Sequence, residues 1–272
     1  MRPSVGRVAC AATTHRSTLR YNQTPTPCLF RHVTNGTVFT LVVDDFGIKY
    51  TSPEGANHLI TTLKLLYDIK IDWAGTSYIG FTIAFDTIAK SVSLSMPGYI
   101  DKVLRRFSIP PHLTSASPAV CIPPRYGDPL QTPTEDTSAP LTPAAVKVLQ
   151  EQVGCLLYYA RGIDCTILPA VTHISSRQAS PIVAVADAMT RLLSYCARYP
   201  NHHLVFHACS MQLEIQSDAS YLSRPQSRSV AGAIFHMTPS PTSSVRNGPC
   251  LALSSIIPVV VSAVAEAEYG AL

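Results

Sequence analysis

Two adjacent carboxylates, Asp44 and Asp45, are the side chains of this chain whose surroundings best suit chemistry. They follow residues 39–43, where Phe, Leu and Val alternate with Thr and Val at the two-residue period of a half-buried strand. A second β-prone run resumes at Ile48, so the pattern predicts a tight hairpin with the pair at its tip. Two carboxylates held rigidly at a surface suit nucleotidyl transfer, in which two divalent ions clamp the attacking and leaving oxygens. The alternative is an ordinary polar turn, because Asp is favoured in turns.

The composition indicates a folded chain with a sizeable core. Of 272 residues, 46% are hydrophobic and 14% are charged, which argues against wholesale disorder. The formal net charge of +4 is compatible with a nucleic-acid partner but does not require one. No C-x-x-C pair occurs among the eight cysteines, so we predict neither a zinc site nor a disulfide framework. No apolar run reaches the length of a membrane span, and no membrane partner is predicted.

Hairpins and two helices are the elements expected to position the carboxylate pair. In chain order we predict a hairpin over 26–49, a helix over 57–67, a hairpin over 68–85 turning at 75–76, a strand over 91–94 and a helix over 97–107. The last of these helices carries Lys102, Arg105 and Arg106 on an exposed face. Such a face suits contacts with phosphates, or it is simply a solvated surface.

The second half of the chain is expected to be helical first and then strand-rich. A connection rich in Pro, Ser and Thr spans 109–140. The expected helices cover 141–159, 164–178 and 181–197, and the expected strands cover 204–206, 211–216, 229–237 and 250–254. A final helix is predicted to begin near Ser262 and to continue to Leu272.

The order of these segments over residues 25–272 resembles the polymerase-to-RNase H region of copia-type retrotransposon polyproteins. The V-V-D-D segment at 42–45 resembles the Y-x-D-D signature of reverse transcriptases, with Val42 where that family usually has Tyr. The Y-I-G-F segment at 78–81, followed by L-S-M-P-G-Y-I at 94–100, is similar to the hairpin that grips the primer terminus and the helix after it.

Three further segments carry the resemblance through the second half. The segment V-G-C-L-L-Y-Y-A-R at 153–161, with Asp164 close behind, resembles a family block that ends in R-P-D, although the proline is absent here. The S-D-A-S segment at 217–220 resembles the opening strand of the element's RNase H. A-E-A-E-Y at 265–269 is nearly identical to that family's motif. Five matches in the right order make the family assignment specific.

The resemblance implies two metal sites that use Mg²⁺. Asp44 would be a ligand in the polymerase site with Asp45 in a supporting role, and Asp218 and Glu266 would be ligands in the RNase H site. We expect Asp218 at a strand end to face Glu266 at a helix start across a sheet–helix contact. Taken alone, Asp218 suits a strand-end turn, and Glu266 suits the first turn of a helix, where an acid is favoured.

The implied partners are an RNA/DNA template–primer and, in the complete enzyme, a dNTP. The implied location is intracellular, in a cytoplasmic particle or in the nucleus. With the basic helix face included, the residues expected to contact nucleic acid are Tyr78, Ile79, Gly80, Phe81, Lys102, Arg105 and Arg106.

The fold expected from the resemblance is α+β. It comprises a partial reverse-transcriptase palm with hairpins and a primer-grip region, a connection, a helical thumb or connection region and a truncated RNase H-like α/β sheet. These occupy residues 26–110, 111–140, 141–202 and 203–272, and residues 1–25 are unassigned. Because the last sheet lacks its cover, we expect exposed apolar area that includes Ile256, Ile257, Val259, Val260 and Val261.

The catalytic sets implied by the resemblance are incomplete. Reverse transcriptases take another metal ligand from a strand upstream of the Asp-Asp hairpin, but no Asp or Glu precedes Asp44 in this chain. The third and fourth RNase H carboxylates would lie beyond Leu272. We therefore expect a fragment that is catalytically incomplete on its own. The alternatives are a non-catalytic nucleic-acid-binding or protein-interaction module, and a nuclease whose Asp218 and Glu266 recruit metal together with a partner chain.

Overall fold

The computed structural model describes residues 20–65, 67–110, 112–120, 134, 136–239 and 246–271. Most of the unassigned segment 1–25 and about half of the predicted connection lie outside these residues. The described residues form an α+β structure, which confirms the predicted class. The chain divides into two compact units, Met1–Ile83 and Ala84–Leu272.

An antiparallel sheet of four strands forms the core of the first unit. Its strands, in spatial order, are β1 (Tyr21–Gln23), β2 (Leu29–His32), β3 (Val38–Val42) and β4 (Asp45–Lys49). Phe39 and Leu41 are buried and alternate with more exposed neighbours, as the predicted two-residue period requires. The hairpin predicted over 26–49 is therefore confirmed, with β1 added at its edge.

Helix α1 (Pro53–Lys64) covers this sheet. The Ser52 side chain caps its first turn by accepting the Gly55 N–H, and Pro53 occupies the first helical position, where its missing N–H does no harm. The helix thus begins four residues before the predicted 57–67. Its Leu59 packs into one cluster with Phe39, Leu41 and Tyr21.

The strand predicted over 68–73 is wrong. These residues form a loop held by Asp72, whose carboxylate accepts the backbone N–H groups of Gly75, Thr76 and Ser77. The hairpin lies further along, where β5 (Ser77–Tyr78) pairs with the start of β6 (Phe81–Asp86). Its two-residue turn is Ile79 and Gly80, both with positive φ, as tight hairpins prefer.

Helices α2 to α5 lie in the described part of the second unit before its long strands, and a short 3₁₀ turn precedes α4. Their bounds are α2 (Tyr99–Arg106), α3 (Pro143–Gly162), the 3₁₀ turn (Cys165–Ile167), α4 (Leu168–Ser175) and α5 (Val183–Arg198). Three of them place Leu156, Val171 and Leu192 in the core, with no exposed surface. The three helices predicted between 141 and 197 are confirmed with small shifts of their ends. Helix α2 begins at Tyr99 rather than at Pro97, after Gly98 in a left-handed conformation.

Five further strands lie in the described part of the second unit. Strand β7 (Ser91–Ser95) pairs with β8 (His203–His207), so two segments that the sequence assigned to different domains share a ladder. A separate antiparallel sheet has the order β11-β10-β9. Its strands are β9 (Gln212–Arg224), β10 (Arg228–Thr238) and β11 (Pro249–Ile256).

Helix α6 (Val264–Tyr269) packs against this sheet and ends three residues before the predicted Leu272. Its Ala267 is fully buried in a cluster with Ile257 and Val261, each 4% exposed. The expectation that Ile257 and Val261 are exposed is therefore wrong, because α6 covers them. The prediction holds for Val259 and Val260, which are 59% and 58% exposed.

Candidate catalytic carboxylates

The Asp44–Asp45 pair lies at the tip of the β3–β4 hairpin, as the sequence predicts. Strand β3 ends at Val42 and β4 begins at Asp45, and these two residues face each other in the ladder. Val43 and Asp44 therefore form a two-residue turn. Both carboxylates are exposed, so they are open to a ligand approaching the tip.

Val43 carries the backbone strain of this turn. Its φ is +57°, a left-handed conformation that is a genuine outlier for a β-branched residue. Two-residue hairpin turns need positive φ at their first central position, where glycine is preferred. Positive φ occurs at other non-glycine residues too, for example Ile79 and Leu222, so the two exposed carboxylates rather than the strain make the tip of this hairpin the leading candidate site.

The Y-I-G-F hairpin packs directly against the strands that carry the carboxylate pair. The Tyr78 hydroxyl lies 2.6 Å from Thr40 Oγ1 on β3. A Cβ atom added at Gly47 would lie 2.7 Å from Thr40 Oγ1 and 2.9 Å from the Tyr78 ring. Only glycine allows this approach, so Gly47 positions the predicted primer-gripping hairpin beside β4 within the first unit.

The basic side chains of α2 are exposed, as predicted, but they are not equivalent. Arg106 Nη2 lies 2.7 Å from Glu151 Oε2, so its charge is already paired. Arg105 Nε donates to the carbonyl oxygen of Asp101, one turn earlier. Lys102 is exposed on the same helix. Lys102 and Arg105 are therefore better placed than Arg106 to meet a phosphate.

Asp218 does not lie at a strand end, contrary to the prediction. It is within the long strand β9, opposite Gly232 of β10, and its side chain is exposed. The next residue, Ala219, packs on the cluster beneath α6. Because successive side chains of a strand point to opposite faces, Asp218 is directed away from α6.

Glu266 is in the first turn of α6, as predicted, where it acts as a capping group. Its Oε2 accepts the backbone N–H of Ser262 at 2.7 Å and the Ser262 hydroxyl at 2.9 Å. The backbone hydrogen bond from Ser262 is the main cause that lowers the pKa of this carboxyl. The capping explanation fits Glu266, and the expected face-to-face pair with Asp218 is not formed.

The two predicted metal sites thus differ in their fit to Mg²⁺. This ion is commonly held by one or two carboxylates together with waters and substrate phosphates, and the exposed Asp44 and Asp45 fit that description. Asp218 and Glu266 do not fit a shared ion, since they lie on opposite sides of a sheet. Among the described residues, no group of three or more His, Cys, Asp or Glu side chains is arranged to hold a metal.

Asp164, which follows the V-G-C-L-L-Y-Y-A-R segment, is buried and structural. Its carboxylate caps the 3₁₀ turn by accepting the backbone N–H of Thr166, and it lies 2.5 Å from the Thr166 hydroxyl. Its other oxygen lies 3.4 Å from His202 Nε2. The segment before it supplies the buried Val153, Leu156 and Tyr159. In this structure the motif therefore organises the helical core.

Sequence reasoning missed two polar features. Asp72 orders the loop before β5, although Asp followed by Gly three residues later is a recognisable turn signal. In the second unit, His173 and Arg224 each bury a nitrogen that has no hydrogen-bond partner among the described residues. Their separation by 51 positions gave no local signal.

No family model, curated protein or solved structure matches this chain. Within the described residues, no helix is both long enough and apolar enough to cross a membrane. The family resemblance therefore rests on the order of the sequence motifs.

Proposed function

We propose that this chain is part of the reverse transcriptase–RNase H region of a copia-type retrotransposon and that its first unit handles primed nucleic acid. One observation carries the proposal: Asp44 and Asp45 project from a two-residue hairpin whose strands contact Tyr78 of the Y-I-G-F hairpin. Two motifs that are separated by over 30 positions thus meet in one unit. That meeting is expected of a site that aligns a primer end with metal ligands.

The chain's own residues would position the reacting groups. Asp44 and Asp45 would hold Mg²⁺ together with phosphate oxygens of the nucleic acid, and the ion would supply the charge stabilisation of phosphoryl transfer. The Tyr78 ring against Gly47 fixes the strand from which Asp45 projects. The strained turn at Val43 holds Asp44 next to it.

We further propose that the chain does not complete nucleotide addition by itself. It has no Asp or Glu before Asp44 to serve as an additional ligand. Primer extension with Mg²⁺ or Mn²⁺ should therefore show no templated incorporation. Incorporation that disappears in Asp44→Asn would contradict this part of the proposal.

Mn²⁺ binding measured by electron paramagnetic resonance, in the presence of a primed RNA template, tests the site itself. We expect Asp44→Asn and Asp45→Asn each to weaken Mn²⁺ binding by about tenfold, because each removes ligand charge. Asp68→Asn is the matched control, since it removes an exposed acid of the same unit. Equal Mn²⁺ binding by the wild-type chain and Asp44→Asn would overturn the proposal.

A non-catalytic nucleic-acid-binding module is the second candidate, and the exposed Lys102 and Arg105 of α2 favour it. Contacts of this kind are indifferent to sequence and weaken with salt. The Mn²⁺ experiment separates the two functions. If the chain is a binding module, Asp44→Asn should leave both its nucleic-acid affinity and its Mn²⁺ binding unchanged.

A further inference from the structure

Two exposed aromatic side chains, Tyr50 and Trp73, contact each other in the first unit. Their ring centroids are 6.3 Å apart and their planes meet at 86°, which is the edge-to-face arrangement that aromatic pairs favour. Tyr50 is nevertheless 41% exposed and Trp73 is 54% exposed. Single exposed aromatic residues are ordinary. A pair of rings that only anchored a loop would bury more of its surface.

The backbone holds both rings in place. Tyr50 directly follows the last residue of β4. Trp73 directly follows Asp72, whose carboxylate accepts three backbone N–H groups of the same loop at 2.7 to 3.2 Å. Rings that are already fixed lose little conformational freedom when a ligand binds, so the pair is preorganised for recognition.

One face of β4 leads from the carboxylate pair to the aromatic pair. Phe46 and Ile48 pack on the core of the first unit, so Asp45, Gly47 and Lys49 lie on the opposite face. Lys49 is exposed and supplies a positive charge directly before the first aromatic residue. Strand β4 has five residues, so at about 3.3 Å per residue it places that residue roughly 16 Å from Asp45.

This combination of groups suits the unpaired bases of a single strand. Every base has a π-face, so stacking on Tyr or Trp tolerates any base sequence. In a duplex the faces are already occupied by the neighbouring base pairs. The lysine beside the rings favours a ligand that carries negative charge next to its flat apolar groups, which is the chemistry of a nucleic-acid strand.

We propose that Tyr50 and Trp73 form a stacking platform for the unpaired bases of single-stranded nucleic acid, with Lys49 meeting a phosphate of the same strand. A strand that runs on from the carboxylate pair would reach the platform after about five stacked nucleotides of roughly 3.4 Å each. That alignment rests on the proposed function, whereas stacking on the two rings does not depend on it.

The fluorescence of Trp73 reports directly on this platform, because it is the single tryptophan. The full chain is titrated with single-stranded DNA and RNA oligonucleotides of about eight nucleotides, a length typical of single-strand sites. The matched ligand is an abasic oligomer of the same length, which keeps the phosphates and lacks the bases. We expect saturable quenching by the oligonucleotides and none by the abasic oligomer.

Variants measured by the anisotropy of a labelled DNA oligonucleotide separate stacking from folding. Trp73→Ala and Tyr50→Ala should each weaken binding by about tenfold, because each removes a stacking surface. Trp73→Phe keeps an aromatic ring and should retain most of the affinity. Phe85→Ala is the matched control, since Phe85 is a 59% exposed aromatic residue of the other unit, and it should bind as the wild-type chain does.

The outcomes also identify the strand. Quenching by both oligonucleotides assigns the platform to either type of strand, and quenching by one alone assigns it to that type. The failure of this proposal is distinguishable from that of the proposed function, because Trp73→Ala should leave Mn²⁺ binding unchanged when the primed template is saturating. The proposal is overturned if neither oligonucleotide quenches Trp73, if the abasic oligomer quenches it equally, or if Phe85→Ala weakens binding as much as Trp73→Ala.

Discussion

At the scale of single residues, the carboxylate pair was predictable but its backbone was not. The alternation of Phe39 and Leu41 places Asp44 and Asp45 just past a strand, and this is where the hairpin turns. The ladder between β3 and β4 leaves only two residues for the turn, which forces Val43 to a positive φ. Residue preferences predict glycine rather than valine at this position. The pairing of β3 with β4 overrides that preference.

Replacing Val43 with glycine should stabilise the first unit. Val43 is 60% exposed, so little packing is lost, and glycine adopts the left-handed conformation without strain. We expect a gain of about 1 kcal/mol in the free energy of unfolding, after the larger chain entropy of glycine is subtracted. Urea unfolding measures this change in the free energy of unfolding. The signal is the fluorescence of Trp73, which is the single tryptophan and lies in this unit.

Val42→Gly is the matched control for this turn. Val42 is a neighbouring exposed valine within β3, where glycine weakens the strand. This variant should lower the urea midpoint. A lowered midpoint for Val43→Gly as well would show that the turn is not strained.

Asp218 shows why a candidate residue can be predicted while its orientation is not. The sequence placed it at the end of a strand, but β9 continues to Arg224. The face on which each side chain of a strand lies depends on which residues pack into the core, and here Ala219 packs on the cluster beneath α6. A shift by one position reverses the face, and no local signal marks it.

At the scale of elements, the helices were predicted best because their apolar period is long and their capping residues are recognisable. Thr142 and Pro143 open α3, where the Thr142 hydroxyl accepts the Ala145 N–H. Loops were predicted worst, since side-chain hydrogen bonds decide them. The turn 32–37, which joins β2 to β3, is one such loop and depends on the ring of His32.

The stability of this turn should depend on pH. His32 Nδ1 accepts the backbone N–H groups of Thr34 and Asn35, so it must stay unprotonated. Burial, with added repulsion from His58 and Arg20, lowers the pKa of His32 below its usual 6.5. The unfolded chain then binds the proton more readily, so stability is full above pH 6.5 and falls as the pH drops towards the folded-state pKa.

Urea unfolding followed by Trp73 fluorescence measures this effect at two pH values. We choose about pH 7.5 and about pH 5.5, which bracket the usual histidine pKa. The midpoint should be lower at the acidic pH. His32→Asn, whose side-chain oxygen can still accept a hydrogen bond, should lose most of the difference. A midpoint that rises on acidification would contradict the role assigned to His32.

Within the described residues, the sheet formed by β9, β10 and β11 has an apolar face that α6 covers only in part. Four of its side chains, about half exposed each, lie beyond the part that α6 covers, namely Leu213, Ile215, Leu251 and Leu253. We interpret exposed apolar area of this kind as an incomplete layer. By contrast, α3, α4 and α5 each contribute core side chains that have no exposed surface.

Backbone amides of β9 to β11 should exchange with solvent faster than those of α3 to α5, because fewer buried contacts oppose local opening. Hydrogen–deuterium exchange of the full chain measures both regions in one sample. If the strands are as well protected as the helices, the sheet is complete as it stands and the incomplete-layer interpretation is wrong.

At the scale of the whole molecule, the α+β class followed from the sequence, whereas the division into units did not. The unit boundary after Ile83 falls within β6, in a segment with no linker composition. Strand β8 joins β7 over more than 100 positions. Long-range pairing of this kind depends on packing and leaves no mark in the local pattern.

The central proposal is that this chain handles primed nucleic acid, mainly through phosphate contacts. Fluorescence anisotropy with a labelled RNA template and DNA primer, titrated at several salt concentrations, tests it most directly. We expect binding at low salt that weakens as salt rises. The double variant Lys102→Gln/Arg105→Gln should reduce the salt slope by about 2, or roughly one per lost phosphate contact. Lys147→Gln, an exposed lysine on α3, should leave the slope unchanged. Absence of binding at low salt, or an affinity that stays constant from low to high salt, would contradict the claim.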